Sequence, residues 1–248
     1  MQNNLISIIT PSYNSKRFIK ATIESVLSQT YENWEMIIVD DVSPDDSNEI
    51  IEEYCKQDSR IKLIKLEKNS GPAVARNRAI EKAKGRYIAF LDADDLWHPE
   101  KLEKQIDFME KNNYELTYTN YETMDENGNN LNNIRNSPAK LNYKQLLKAC
   151  KIGCLTAVYD TEKIGKVYMP LMKKRQDFGL WLRILKKVDY AYNVNEVLGV
   201  YRLMSNSVSS NKFNLVKYNY RLFHNHEKLS IFKSLYYLGW NIYTKLRD

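Results

Sequence analysis

The stretch YIAFLDADDLWHP, residues 87–99, decides how this chain is read. Five apolar or aromatic residues, Tyr87 to Leu91, run straight into three carboxylates, Asp92, Asp94 and Asp95. Like charges this close repel and raise one another's pKa. Either the carboxylates are solvated in a turn that caps the helix starting near Pro99, or something cationic sits among them. Two carboxylates one residue apart at a strand end suit a divalent cation. Mg²⁺ and Mn²⁺ take oxygen ligands, accept one or two protein carboxylates and keep sites open for phosphate oxygens.

Working outward, strand and helix alternate. Residues 5–10 (LISIIT) are a β-branched apolar run ending at Pro11, which predicts a buried strand. Ile19, Ile23, Val26 and Leu27 follow at helical spacing, behind Asn14 and Ser15 as candidate N-caps. Residues 34–40 (WEMIIVD) predict a second buried strand, and Pro44, Asp45 and Asp46 open a helix through about Cys55. IKLIKL (61–66) alternates like a strand with one wet face. GPAVARNRAIEKAKG (71–85) has glycines at both ends and Ala75, Ala79 and Ala83 on one stripe, a close-packed helix. Beyond the acidic knot, Leu102, Ile106 and Met109 mark the inner face of a helix, and residues 115–121 predict another strand.

The second half is less regular. Asn127-Gly128 marks a hairpin tip. Residues 154–160 and 197–202 read as strands, and residues 175–188 as a helix with Trp181, Ile184, Leu185 and Val188 on one face. The tail from about residue 211 is helical and rich in aromatics. The expected fold is therefore α/β, with a mostly parallel central sheet flanked by helices and a C-terminal helical extension. Such sheets bind ligands beyond the carboxyl ends of their strands. That edge gathers Tyr13 and Asn14, Asp40 and Asp41, residues 69–76 and residues 92–95.

A chain of 248 residues suits one large α/β domain with a short extension, or two small domains. Hydrophobic residues at 43% and charged residues at 27% are an ordinary globular balance. The three cysteines, Cys55, Cys150 and Cys154, read as reduced thiols of a cytoplasmic protein. Cys150 and Cys154 lack the second pair that a structural zinc site needs. The N-terminus has no basic signal region, and no apolar run approaches the roughly 20 residues of a spanning helix. The expectation is a protein that is soluble or lies on a surface.

Taken together, SIITPSYN (7–14), SVLSQTYENWEMIIVDDVSPDDS (25–47), NSGPAVARNRAIEKAKGRYIAFLDADD (69–95) and RQDFGLWLRI (175–184) resemble family 2 glycosyltransferases of the GT-A fold. The resemblance covers roughly residues 5–203. It implies a GT-A, Rossmann-like domain over residues 1–210, with a nucleotide-sugar half to about residue 96 and an acceptor half beyond. Residues 211–248 are then a basic, aromatic tail. By similarity, Pro11 and Tyr13 line the nucleoside pocket, where a flat ring offers a base a stacking partner. Asp41 matches a carboxylate that accepts a hydrogen bond from uracil, and Asp40 is the one expected to hold the loop. Arg76 matches a basic residue near the base and diphosphate. Asp92, Ala93 and Asp94 form the D-x-D motif, in which Asp92 faces ribose or metal-bound water and Asp94 ligates Mn²⁺ or Mg²⁺. Asp95 is expected to cap the next helix.

Asp177 matches the family's catalytic base, with Gln176 standing where a glutamate is usual, a departure expected to touch the acceptor side. Arg202 is expected to reach a phosphate as a fixed cation. Relatives often carry a histidine near the position of Met204, so no histidine metal ligand is expected from that loop. Simpler roles compete with each of these: a turn tyrosine for Tyr13, a surface arginine for Arg76, an N-cap for Asp177. The resemblance implies inversion, with a UDP-sugar as donor and a glycan or lipid-linked acceptor, in bacterial surface-polysaccharide assembly. The signature and membrane helices of processive members are missing, which favours single-sugar addition.

The tail carries seven lysines or arginines interleaved with aromatics. It suits an anionic membrane surface, the inner face of the plasma membrane, or else packs on the catalytic domain. The net charge of +6 raises nucleic-acid binding as a rival, but the carboxylates at the sheet edge would repel phosphate without a metal. A nucleotidyltransferase would need a glycine-rich loop after the first strand, and TPSYNSKRF contains no glycine. A donor-binding pseudoenzyme is the remaining alternative.

Overall fold

The computed structural model describes residues 4–204 and 212–247. The chain opens with β1 (Ile6–Ser12), α1 (Ile19–Leu27), β2 (Trp34–Asp40), α2 (Ser47–Gln57), β3 (Ile61–Lys65), α3 (Pro72–Lys82) and β4 (Tyr87–Phe90). These are the elements expected from the first half. Three elements follow, β5 (Leu96–Trp97), α4 (Lys101–Asn112) and β6 (Leu116–Met124). Then come β7 (Asn130–Arg135), β8 (Lys140–Leu141), α5 (Tyr143–Lys148), β9 (Val158–Asp160) and α6 (Thr161–Ile164). The described chain closes with α7 (Gln176–Ile184), β10 (Ala191–Arg202), α8 (Lys212–Arg221), a π-helical turn over Leu222–His226, and α9 (Ile231–Arg247).

The strands form one sheet in the order β3-β2-β1-β4-β9-β6-β10-β5, with β7 on β6 and β8 on β10. β2, β1 and β4 pair in parallel, as do β6 and β10, whereas β9 runs antiparallel between β4 and β6. The sheet is mostly parallel, as expected, but the direction of β9 was not readable from an apolar run alone. The helix expected to begin behind Asn14 or Ser15 starts later, with Phe18 at its N-cap. Ser15 instead accepts the backbone N–H groups of Phe18 and Ile19 through its own carbonyl.

Side chains alternate across this sheet because successive strand residues face opposite sides. Ile6, Ile8, Met36, Ile38, Tyr87 and Ala89 pack on one face with α1 and α4. Ile9, Ile37, Val39, Ile88 and Phe90 pack on the other with Ala75 and Ala79 of α3, Ala83 at its C-cap and Trp181 of α7. Both faces are covered, which is why β1, β2 and β4 read as continuous apolar runs. Leu222 and Phe223 are buried in the second of these cores, and Phe223 meets Phe178 at 5.7 Å. The inner side of the tail thus packs on the sheet's own helices, while Phe232, Leu235 and Leu246 of α9 remain exposed.

One buried residue runs against the pattern. Lys101, at the start of α4, is 0% exposed, with its Nζ 4.0 Å from the Trp97 ring centroid and no hydrogen-bond partner. Burial pulls its ammonium well below the ordinary lysine value of 10.5. The unfolded chain therefore binds a proton that the folded chain refuses, and stability falls as pH drops below about 10. Lys101→Met keeps the packing and removes the unpaired polar group. It is expected to stabilise by about 1–3 kcal/mol at neutral pH, with a smaller gain at pH 10. Urea denaturation at the two pH values measures both.

Candidate active site

The loop after β4 carries the acidic knot, and the protein deals with each carboxylate differently. Asp92 Oδ1 accepts a hydrogen bond from Arg76 Nη2 at 2.5 Å. Arg76 lies on α3, 8% exposed, and its Nη1 donates to Gln176 Oε1 at 2.9 Å. Gln176 in turn donates through Nε2 to the carbonyl of Met172 at 2.7 Å. One guanidinium so ties α3, the β4 loop and the start of α7 together. Burial works against the Arg76 charge, but Asp92 beside it more than compensates and raises its pKa.

Asp95 is 1% exposed, and its Oδ1 accepts the backbone N–H of Arg202 at 2.9 Å. Burial first, then Asp94 and Asp92, push its carboxyl well above the usual range. The expectation that Asp95 caps the next helix fails, because α4 starts behind Glu100 with no side-chain cap. Asp94 is pushed up to about 6, by burial first and by Asp92 second. Of the three carboxylates, one is paired with arginine, one is held towards its neutral form, and one is left short of a countercharge.

Two clefts flank this loop. The smaller, about 450 Å³, is lined by Pro11, Tyr13, Asp41, Asp92, Ala93 and Asp94, with Met204 at its rim. Tyr13 is 54% exposed there, in the bend after β1, so it is not a core residue. Asp41 is buried, and its two carboxylate oxygens accept the backbone N–H groups of Ser70 and Gly71 at 2.6 and 2.7 Å. Gly71, with φ of +87°, turns the chain into α3 at this point, a conformation that favours glycine. Asp41 thus anchors the loop that presents Arg76 as well as lining the cleft. Asp40 holds its own loop, accepting from Ser43 and Asn48.

The larger cleft, about 760 Å³, is lined by Asp92, Asp95, Tyr121, Tyr201, Asp177 and Arg175, among others. Asp92 borders both clefts. Asp177 is the second residue of α7, behind Arg175 at the N-cap, so it does not serve as the cap itself. The helix is held close to the body by Gly179, where an added Cβ would come within 2.4 Å of Pro170 Cγ. Trp181 packs edge-on against Phe90 at 5.4 Å and Phe178 against Phe223, and both are fully buried.

Arg202 occupies a different place from the one expected of a phosphate-binding cation. It is 6% exposed, its Nε donates to the carbonyl of Asp94 at 2.8 Å, and its guanidinium stacks 4.8 Å over Phe18. It braces the acidic loop from behind. The stretch beyond it, residues 205–210, which belongs to the loop expected to close over a diphosphate, lies outside the described residues. Gln176 points its amide at Arg76 and does not line the larger cleft. Cys150 and Cys154, given no role from sequence, both line the larger cleft together with Lys245 from α9. No local pattern announced these, because they come from separate elements joined only by the fold.

The donor chemistry fits a divalent cation. Asp94 is a hard oxygen ligand short of positive charge, next to a second carboxylate. No group of three metal-ligating side chains occurs among the described residues, so the remaining ligands would be phosphate and water oxygens.

The chain is 46% identical over 230 residues to the putative teichuronic acid biosynthesis glycosyltransferase TuaG of Bacillus subtilis (strain 168), covering 93% of this chain and 91% of that protein. It is 46% identical over 218 residues to WfgD of Escherichia coli, named as a UDP-Glc:alpha-D-GlcNAc-diphosphoundecaprenol beta-1,3-glucosyltransferase, covering 88% and 84%. Among solved structures, S. aureus TarS 1–349 in complex with UDP-GlcNAc superposes with a TM-score of 0.72 at 20% identity, over 89% of this chain and 66% of that one. The Pyrobaculum calidifontis mannosyltransferase PcManGT, in complex with GDP-Man and Mn²⁺, gives 0.69 at 16% identity, over 95% and 69%. At such identities these two structures speak for the GT-A fold alone. The family profile described as Glycosyl transferase family 2 matches residues 7–161, and the chain belongs to that family as a glycosyltransferase.

Proposed function

We propose that the chain moves one sugar from a UDP-sugar to a hydroxyl of a lipid-linked or glycan acceptor in bacterial surface-polysaccharide assembly, with inversion at the anomeric carbon. The observation that carries this reading is the position of Asp92 in the wall shared by two clefts. The smaller has the aromatic ring and carboxylates to take a nucleotide, and the larger has Asp177 and room for an acceptor. Tyr13 stacks on the base, with Pro11 beside it, and the Asp41 loop takes its polar edge. Arg76 and Asp92 orient the ribose and the sugar, and Ala93 keeps the floor between them small. Asp94, with Asp92, would hold Mn²⁺ or Mg²⁺, whose chemistry is to neutralise charge on the departing diphosphate. Asp177 accepts the proton of the attacking hydroxyl. The names of TuaG and WfgD support a surface-polysaccharide role and an acceptor borne on a lipid diphosphate.

No described helix is long and apolar enough to cross a membrane. The exposed apolar residues of α9, among them Phe232 and Leu246, support resting on a membrane surface.

Thermal unfolding tests the donor assignment, because a ligand that prefers the native state raises the midpoint. UDP-sugars are expected to raise the midpoint in the presence of Mn²⁺, and to do so less in EDTA. If no nucleotide sugar shifts it under either condition, the reading is wrong.

A further inference from the structure

Helix α9 shows its apolar stripe to solvent. A surface helix of a globular protein ordinarily does the reverse, hiding that stripe and presenting its polar side. Here the side against the body carries Ser234, Tyr237 and Asn241. Ser234 is 0% exposed, Tyr237 meets Phe223 at 6.3 Å, and Asn241 Nδ2 donates to the carbonyl of Leu147 at 2.7 Å. Lys148 of α5 lies over the Trp240 ring at 4.7 Å. The helix is thus fixed in place, and its outward side carries Phe232, Leu235, Tyr236, Gly239, Tyr243 and Leu246. These fall at helical spacing, in one stripe about 20 Å long. Phe232 is 86% and Leu246 82% exposed. A Cβ added at Gly239 would meet nothing within 4 Å.

An exposed stripe of this length marks a surface that meets an apolar partner. The charges beside it say which. The 17 residues of α9 contain no aspartate or glutamate. Lys233 and Arg247 are exposed near its two ends, and Lys228 is exposed in the turn before it. Arg247 Nη1 donates to Tyr243 Oη at 2.8 Å, which sets its guanidinium beside the stripe. Two copies of the chain joined along this stripe would bring like charges together. An anionic bilayer supplies the opposite charge and an apolar interior at once. Tyr236 and Tyr243 suit the boundary itself, with a ring for the acyl chains and a hydroxyl for the headgroups. The helix is too short and too charged to cross, so it lies in the plane of the surface.

We infer that α9 is the element by which the protein binds anionic lipid. It lies flat in the headgroup region, with Phe232, Leu235 and Leu246 among the acyl chains and Lys233 and Arg247 on the lipid phosphates. The inference rests on the membrane-surface reading above and names the helix face and the lipid class that serve it. The same helix sends Lys245 to the wall of the larger cleft, so the element on the bilayer borders the space given to the acceptor. A lipid-borne acceptor thus enters that cleft from the bilayer side.

Flotation of the full chain with unilamellar vesicles, without donor or acceptor, tests this directly. One set of vesicles is phosphatidylcholine alone, the other phosphatidylcholine and phosphatidylglycerol in equal parts. The protein is expected to bind the mixed vesicles about tenfold or more tightly than the neutral ones, and less tightly as salt is raised. The Phe232→Ser, Leu246→Ser double variant is expected to lose about tenfold or more in affinity for the mixed vesicles. Both side chains are exposed, so its melting midpoint should match that of wild type. The Lys233→Gln, Arg247→Gln variant should lose most of the preference for the mixed vesicles. Wild-type protein that leaves the mixed vesicles unbound overturns the inference, as does a serine variant that binds them as tightly as wild type. Equal affinity for the two compositions, or a glutamine variant with its preference intact, overturns the anionic-lipid assignment. A concentration-dependent dimer in sedimentation velocity that the serine variant abolishes would give the stripe to a second copy and overturn it too. Mn²⁺-dependent stabilisation by UDP-sugars is measured alongside. It reports on the donor cleft, so a failure of the glycosyltransfer reading shows there and a failure of the membrane face shows only with the vesicles.

Discussion

Asp177→Asn is expected to cut turnover by about 10²–10⁴, while UDP-sugar binding stays within about twofold of wild type. The split follows from where Asp177 sits. It lines the larger cleft and not the smaller one, so a donor bound beside Tyr13 and Asp94 loses no contact. Asparagine keeps the shape of the side chain at the second position of α7 but cannot take a proton from the attacking hydroxyl. The helix itself should not move, because its N-cap is Arg175 and its seat is Gly179 against Pro170. Steady-state rates with the cognate donor, read beside UDP affinity from calorimetry, check both halves. A variant retaining more than about a tenth of wild-type turnover, less than about 1.4 kcal/mol of barrier, removes Asp177 as the base. Joint loss of turnover and of UDP affinity would instead make it part of the donor site.

How much of this was legible beforehand depended on whether the signal was local. The strands β1, β2 and β4 were plain because a sheet buried on both faces keeps most of their positions apolar. The alanine stripe of α3 was plain for the same reason, since close helix-to-sheet packing selects small side chains at one helical face. The order of β9 was hidden. A strand as short as Val158–Asp160 reads alike in either direction, and only the pairing with β4 and β6 makes it antiparallel. The site divides in the same way. Asp92 and Asp94 stood out as charge where a strand ends. That Arg76 would reach Gln176, a hundred positions along, could not be read from either residue, because the link exists only once α3 and α7 pack on the same face. Asp95 misled for an instructive reason. An aspartate before a helix suggests a cap, but the chain spends residues 96–97 on an edge strand first, so its carboxyl meets the amide of Arg202. Arg202, in turn, looked like a free cation for phosphate and is a brace for the loop.

Asp94→Asn is expected to trade function for stability, with a pH dependence that identifies the cause. The Asp94 carboxyl is raised from 3.8 to about 6 in the folded protein, by burial and then by the charge of Asp92. A raised acid pKa means that the folded state holds the proton more tightly than the unfolded chain does. Below about pH 4 both states are protonated and the group costs nothing. Between about pH 4 and 6 the unfolded chain ionises first, and the penalty on folding builds up. Above about pH 6 it levels off, on the order of 3 kcal/mol for a two-unit shift. The asparagine variant, free of cation and nucleotide, should therefore melt above wild type at pH 7 to 8, and the gap should close as pH falls towards 4. With Mn²⁺ and a UDP-sugar the order should reverse. Wild type offers a carboxylate that the cation repays for its buried charge, whereas the amide of the variant is a much weaker ligand for a hard cation. The Mn²⁺-dependent part of the donor's thermal shift is expected to disappear in the variant, along with most of its turnover. Melting curves at four pH values, with and without Mn²⁺ and UDP-sugar, carry the whole test. A variant less stable than wild type at every pH would mean that Asp94 is held by a contact that asparagine cannot keep, and the strain assigned to its charge would be wrong. A variant that keeps its Mn²⁺-dependent shift would move the cation off Asp94 and onto another oxygen ligand, such as Asp92, which is already bonded to Arg76.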